Sequence, residues 1–342
     1  MKQRILVTGG TGYIGSHTAV ELLEAGFDVI IIDNLFNSEA GVIEGINRIT
    51  GKKSSLEIFD LCDADRLDAF FKKNNDIAAI IHFAAYKAVG ESVNKPLEYY
   101  RNNLVSLMNI LDGMKKYNIS HFVFSSSCTV YGQPDTLPVA ENAPLQPAAS
   151  PYGNTKQVGE SILRDTTSAN PNLNAISLRY FNPIGAHPSG LIGELPRGVP
   201  ENLVPYITQT AYGLRDELKV FGDDYDTPDG SCIRDYLHVV DLAKAHLAAV
   251  NRLINGKSKS KYEVFNLGTG KGVSVFEAIK SFEQVTGKKL NYRIVGRRPG
   301  DIEKIWADPS YANKELGWRS LSSLDDAMRT AWEWEKNIRK NK

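Results

Sequence analysis

Three glycines spaced three apart, Gly9, Gly12 and Gly15, stand in the segment Thr8-Gly9-Gly10-Thr11-Gly12-Tyr13-Ile14-Gly15. They follow a short β-branched and apolar run, Arg4 to Thr8, and precede Tyr13 to Ala25, where apolar residues recur at helical spacing until Gly26. Few folds accept a strand, a glycine turn and a helix joined in this way. One glycine permits the tight turn, one lets backbone N–H groups approach a pyrophosphate at the positive helix N-terminus, and one allows the helix to pack closely on the sheet. The next apolar run, Phe27 to Ile32, ends at Asp33. A carboxylate there accepts hydrogen bonds from adenosine ribose hydroxyls and repels a 2′-phosphate, so NAD is expected in preference to NADP. Asp33 also fits a plain turn or cap ahead of Asn34.

Further apolar runs follow at Leu56 to Phe59, Ala78 to Ala84, Phe122 to Phe124 and Ala175 to Leu178, with helical patterns between most of them. Continuous apolar strands alternating with helices predict an α/β fold, a doubly wound parallel sheet of the Rossmann type. For 342 residues about two domains are expected. Residues 1–180 read as the NAD-binding domain. Residues 181–342 read as a smaller C-terminal α/β domain for substrate, with segments around 236–266 open to rejoining the first. Pro183 to Pro205, rich in Pro and Gly, reads as a long functional loop. Pieces with pattern resume from Val204, including Val240 to Leu253, Val275 to Gln284 and Leu324 to Trp334. Ligands of such folds bind in the crevice at the carboxyl ends of the strands.

Composition narrows the function. Lys plus Arg and Asp plus Glu both total 40, leaving no basic field for nucleic acid or an anionic membrane. The basic stretches Lys257 to Lys261 and Arg339 to Lys342 are short and lack interleaved aromatics, and they read as solvated surface. Three scattered cysteines, Cys62, Cys128 and Cys232, suit free thiols and a cytoplasmic setting better than disulfides or a metal site. No run approaches the ~18 apolar residues of a membrane span, and Met1-Lys2-Gln3-Arg4 leads into no secretory h-region.

Of the 15 tyrosines, only Tyr152 has a lysine four residues on, Lys156. Pro151 suits a helix start, and a four-residue step puts both side chains on one face, where an ammonium favours phenolate and general-base work. Upstream, Ser125-Ser126-Ser127-Cys128-Thr129-Val130-Tyr131-Gly132 ends an apolar run in hydroxyls. Glycine loop, serine cluster and Tyr-x-x-x-Lys in this order resemble the extended short-chain dehydrogenase/reductases. His82 to Ser92, Arg179 to Pro183, Gly185 to Gly190, Arg234-Asp235-Tyr236 and Arg297 to Asp301 are similar to segments of the UDP-glucose 4-epimerase family within that group, so the likeness covers nearly the whole chain.

That resemblance implies an NAD-dependent homodimeric epimerase that interconverts UDP-glucose and UDP-galactose through a 4-keto sugar. Tyr152 is the implied base at the sugar 4-hydroxyl, Ser127 shares its hydrogen bond, and Lys156 holds the nicotinamide ribose. The implied cofactor residues are Gly9, Gly12, Tyr13, Ile14, Gly15, Asp33, Asn34, Asn37, Ser38, Asp60, Leu61, Phe83, Lys87, Asn102 and Tyr180. Holding a diphosphate in a chain without net positive charge needs a few placed arginines, whose forked geometry suits phosphate; Arg234 and Arg298 match the family positions. Asn182, Asn202, Leu203, Tyr236 and Asp301 join them, and Phe221 is expected against uracil. By the same resemblance, the helices near Pro96 to Tyr117 and Tyr152 to Ala169 are those that pair in the dimer.

Three positions depart from the family pattern. Ala85-Tyr86 stands where Gly-Leu is usual, Cys128 replaces an alanine-like residue and reads as a small buried side chain, and Ile305 stands where enzymes confined to glucose and galactose carry tyrosine. Ile305 is intermediate in size, which leaves the entry of UDP-GlcNAc and UDP-GalNAc open. Of the rival readings, a 4,6-dehydratase needs a carboxylate pair that Ser127-Cys128-Thr129 lacks, and a non-catalytic NAD-binding scaffold has no need of Tyr152 and Lys156.

Overall fold

A computed structural model describes residues 2–298 and 301–340; Met1, Pro299, Gly300, Asn341 and Lys342, and with them parts of the Arg297 to Asp301 segment and of the basic tail, lie outside the described residues. The first half of the chain alternates strand and helix: β1 (Arg4–Thr8), α1 (Tyr13–Glu24), β2 (Asp28–Asp33), α2 (Val42–Thr50), β3 (Ser55–Ile58), α3 (Ala64–Lys73) and β4 (Ile77–His82). Then come α4 (Val89–Asn94), α5 (Pro96–Tyr100), a π-helical stretch at Arg101–Val105, α6 (Ser106–Lys116), β5 (His121–Ser127), α7 (Pro151–Ala169) and β6 (Asn174–Tyr180).

Six of these strands and β11 (Tyr262–Leu267) form one seven-stranded sheet in the order β11-β6-β5-β4-β1-β2-β3, with every pairing parallel. This is the doubly wound order, reversing between β1 and β4. Side chains alternate between two cores because successive residues of a strand face opposite ways. Ile5, Val7, Val29, Ile31, Ile81 and Leu178 share a core with α1 and α9 (Val239–Ile254). Leu6, Ile30, Ile32, Ile80, Phe122 and Phe124 share the other with α3, α6 and α7. The helix over Val240 to Leu253, within the 236–266 stretch open to rejoining the first domain, lies beside α1 in the first of these two cores.

The remaining strands are short. β7 (Asn182–Ile184) pairs with β10 (Tyr236–His238), β8 (Leu218–Phe221) with β13 (Tyr292–Val295), and β9 (Ile233–Arg234) lies between β12 (Val273–Ser274) and β14 (Lys304–Ile305). Around them α8 (Leu203–Tyr212), α10 (Val275–Thr286) and α12 (Leu324–Lys340) enclose a separate apolar cluster, while α11 (Ser310–Glu315) returns to β11. Between β7 and α8 the expected long loop is present, crossed by one antiparallel bridge at Ala186 and Gly193.

Candidate active site

At the carboxyl ends of the central strands a cavity of about 900 Å³ opens between the sheet and the second-half elements. Its floor is the glycine turn. Gly9 is left-handed at φ +69°, and a Cβ there would lie 2.7 Å from the Ala84 nitrogen; a Cβ on Gly15 would lie 2.3 Å from the Gly9 carbonyl oxygen. Any side chain at these positions would clash with backbone. Gly12 caps α1 without a side-chain bond, which leaves the first N–H groups of the helix to meet an anion.

Asp33, at the end of β2, accepts from the backbone N–H of Thr11 at 3.2 Å and of Leu35 at 2.9 Å, and from Ser38 Oγ at 3.0 Å. Asp33 thus shapes the turn and lines the cavity. Tyr13, Ile14, Asn34, Asn37, Ser38, Asp60, Leu61, Phe83, Lys87, Asn102 and Tyr180 line the same cavity. Its elongated floor of glycines, with an acidic residue at the strand end and apolar Leu61 and Phe83, fits a dinucleotide.

Ser127, Tyr152 and Lys156 meet on one wall of this cavity. Ser127 ends β5, and its Oγ accepts from the Thr129 N–H at 3.2 Å. Tyr152 stands in the first turn of α7, which starts at Pro151 and is capped by Ser150 Oγ accepting from the Gly153 N–H at 3.1 Å. One turn on, Lys156 Nζ donates to the Ser125 carbonyl at 2.7 Å and lies 5.8 Å from the Tyr152 ring centroid. Burial pushes the Lys156 ammonium down to about 8, opposed by Glu160. The Tyr152 phenol is pushed up, first by burial and then by Tyr180, with the Ser127 hydrogen bond opposing. The sequence predicts a phenol lowered by Lys156; in the protein alone burial raises it. Cys128, on the same wall, is a thiol held up to about 12 by burial, which agrees with a small packing residue and not a nucleophile.

Behind this wall lies a buried polar network. Arg179 makes a two-pronged pair with Glu160, at 2.9 and 2.6 Å, and Ser126 Oγ donates to the same carboxylate at 2.6 Å. Asn103 accepts from the Tyr86 N–H at 2.8 Å and donates to the Tyr86 carbonyl and to Thr155 Oγ1. Thr155 in turn donates to the Tyr152 carbonyl at 2.7 Å. Asn103 thereby ties the loop after β4 to the helix that carries Tyr152. Nothing in the sequence separated it from its neighbour Asn102, and only the pair Asn102-Asn103 inside a helical pattern hinted at a polar role.

The second-half residues fall into two groups. Asn182 and Asn202 line the cavity; Asn202 precedes α8, and its Nδ2 donates to Glu194 Oε1 at 2.6 Å. Leu203 packs with the apolar cluster of α8, α10 and α12. Further out, Arg298 Nη2 meets Asp301 Oδ1 at 2.7 Å and Arg234 Nη2 meets the same oxygen at 3.7 Å, while the Arg298 guanidinium lies 5.5 Å from the Phe221 ring centroid. These four residues form one basic and aromatic cluster, with Tyr236 buried on the neighbouring strand. Ile305, paired in register with Arg234, is buried among Val130, Tyr131, Phe181 and Ala307. Asp235, between Arg234 and Tyr236, is structural: it accepts from the Thr269 N–H and Oγ1 and from the Gly270 and Ala307 N–H groups, at 2.7 to 3.2 Å.

The family model described as GDP-mannose 4,6 dehydratase matches residues 6–331. A UDP-glucose 4-epimerase of Dictyostelium discoideum is 50% identical over 332 residues, covering 97% of this chain and 95% of that one. Among solved structures, a UDP-glucose 4-epimerase from Stenotrophomonas maltophila, crystallised with bound NAD and formylated UDP-arabinopyranose, superposes with a TM-score of 0.96 at 47% identity, over 99% of this chain and 100% of that one. A second, from Bifidobacterium longum in complex with NAD+ and UDP, gives 0.95 at 47% identity over the same shares.

Proposed function

We propose, from the premise that this chain belongs to the UDP-glucose 4-epimerase family, that it interconverts UDP-glucose and UDP-galactose by inverting C4 of the sugar. The observation that carries this reading is the meeting of Ser127, Tyr152 and Lys156 on the wall of a cavity floored by a glycine turn. NAD held by the residues of that floor would supply a reversible hydride acceptor for C4, so the reaction would consume no outside oxidant or reductant.

The chain's own groups handle the proton and the position. Tyr152 takes the 4-hydroxyl proton and gives it back, with Ser127 Oγ sharing the hydrogen bond. Lys156, protonated at neutral pH, supplies the positive charge that favours the Tyr152 phenolate. Gly9, Gly12 and Gly15 admit the pyrophosphate of the cofactor, and Asp33 and Ser38 face its adenosine ribose. Arg234 and Arg298 match a nucleoside diphosphate in charge and fork geometry, Phe221 offers a ring face to uracil, and Asn182 and Asn202 complete the grip. Inversion then requires the sugar ring to turn over while the nucleotide stays held. Elimination of water, the other chemistry the family model's description names, has no carboxylate to drive it in Ser127-Cys128-Thr129.

Acetylated sugars belong to the same proposal. Ile305 is shorter than tyrosine and buried beside Phe181 and Tyr131, so we expect slower turnover of UDP-GalNAc alongside UDP-galactose. We also propose a cytoplasmic homodimer paired through α4, α5, α6 and α7. Val89, Val93, Leu97 and Met108 are exposed on the first three of these helices, all three cysteines are free, and among the described residues no helix is long and apolar enough to cross a membrane. A test of the chemistry is to supply UDP-galactose deuterated at C4 and analyse the UDP-glucose formed. The label is expected at C4 of the product; its loss to solvent would refute internal hydride return.

A further inference from the structure

The loop between β7 and α8 leaves the second-half side of the cleft and reaches the cofactor side at two points. Arg197 Nη1 donates to the Phe36 carbonyl at 2.9 Å, and its Nη2 donates to the Ser38 carbonyl. Glu194 Oε1 accepts from Lys87 Nζ at 3.4 Å. On its own side the loop is fastened to α12, where Trp334 Nε1 donates to the Glu194 carbonyl at 2.8 Å and the Trp334 ring fills the space that a Cβ on Gly193 would need. The two gripped loops also hold each other, since the Phe36 and Tyr86 ring centroids are 4.5 Å apart. Three loops thus close a ring around the cavity that the glycine turn floors.

The Phe36 to Ser38 loop is held under constraint. Leu35 is left-handed at φ +59°, a conformation that a side chain disfavours. The Leu35 and Phe36 N–H groups are tied inward to Asp33 Oδ1 and Asn34 Oδ1, and Arg197 takes up the carbonyls that point the other way. Opening this loop displaces Asn37 and Ser38, and with them the contacts that shape Asp33.

We propose that Arg197 is the latch that keeps the dinucleotide in its cavity: it sets how slowly NAD leaves, and it has no hydrogen bond to Ser127, Tyr152 or Lys156. This rests on the reading that the glycine-floored cavity holds NAD. Arginine suits the task because its planar fork reaches two carbonyls at once, where lysine offers one point charge. The same loop runs into Asn202, whose Nδ2 is bonded to Glu194. A nucleotide engaging Asn202 therefore bears on the latch, and UDP should slow NAD release.

The test loads the purified protein with NAD, dilutes it into an excess of a scavenging NAD-dependent dehydrogenase with its alcohol, and follows NADH as NAD escapes, with and without UDP. Arg197→Ala is expected to release NAD about five- to tenfold faster than the parent, the scale of two weak charged hydrogen bonds, and to lose most of the slowing by UDP. Arg197→Lys should fall between; it also covers the case in which the alanine variant fails to fold, as judged by its thermal midpoint. Release within about twofold of the parent from a folded variant would overturn the latch. A parent that holds no NAD after loading, by its measured NAD content, would instead overturn the reading of the cavity, and the latch with it.

Discussion

β1 buries Ile5, Leu6 and Val7 completely between two helix layers, whereas β9, only two residues long, leaves Ile233 and Arg234 half-buried and depends on Asp235 beside it. The sheet is held by apolar area on both faces. The second half has an apolar cluster of its own, to which β8 gives Leu218 and Val220, but the loops around it are organised by single polar residues: Asp235 gathers Thr269, Gly270 and Ala307, and Asp241 gathers the N–H groups of Leu321 and Ser322. Apolar strands repeat and announce themselves in a sequence; a lone aspartate that collects distant backbone does not. The division suits the work as well, since a fixed floor for one ligand faces a loop-built grip for another.

Tyr152 stands where the two regions meet, and its chemistry should be separable from both. Tyr152→Phe removes the proton acceptor and little volume, and turnover should fall about 10³- to 10⁴-fold, with NAD content after purification and UDP affinity unchanged. Loss of NAD binding along with activity would mean that the tyrosine holds the site together instead of working in it.

Stability measurements sharpen the comparison. Leu178→Ala on β6, fully buried, should cost about 3 kcal/mol in denaturant unfolding. Asp235→Asn keeps the volume but turns a donor towards groups that need an acceptor, and about 2 kcal/mol is expected. Ile233→Ala, half-buried on β9, should cost about 1 kcal/mol or less. A larger cost at Ile233 than at Asp235 would break the claim that Asp235 organises the loops beside β9.

Lys156 gives the most distinctive sign. Burial lowers its folded-state value to about 8, below the ordinary lysine value. Its contribution to stability is therefore complete above the ordinary value and is lost as pH falls through about 8. Turnover should move the opposite way, declining as pH rises through about 8, because the ammonium that favours the Tyr152 phenolate is being lost. Parallel pH profiles of unfolding and of kcat check this; profiles that rise together would remove Lys156 from the proton chemistry.

The strands β1 to β6 and the helix α1 were legible within a residue or a few, because their apolar runs and the glycine stop carry the signal locally. Tyr152 and Lys156 stand out by their spacing and Ser127 by resemblance to the family, and all three line the same cavity. What stayed hidden was long-range. The pairing of Arg179 with Glu160 depends on α7 lying beside β6. Glu194 and Arg197 occupy a Pro- and Gly-rich loop with no periodic pattern, where no spacing rule marks a side chain that acts across a cleft. Ile305 was singled out by position in a motif, while its burial among Val130, Tyr131 and Phe181 emerged only when β14 was seen beside β9.

The most direct test of the account is to incubate the purified protein with UDP-galactose alone, without added nicotinamide cofactor, and to follow UDP-glucose. The account predicts that the two sugars approach a fixed ratio from either side, with many turnovers per protein and no accumulation of NADH or keto sugar. No UDP-glucose, or a single turnover that stops with NADH in the protein, would contradict it.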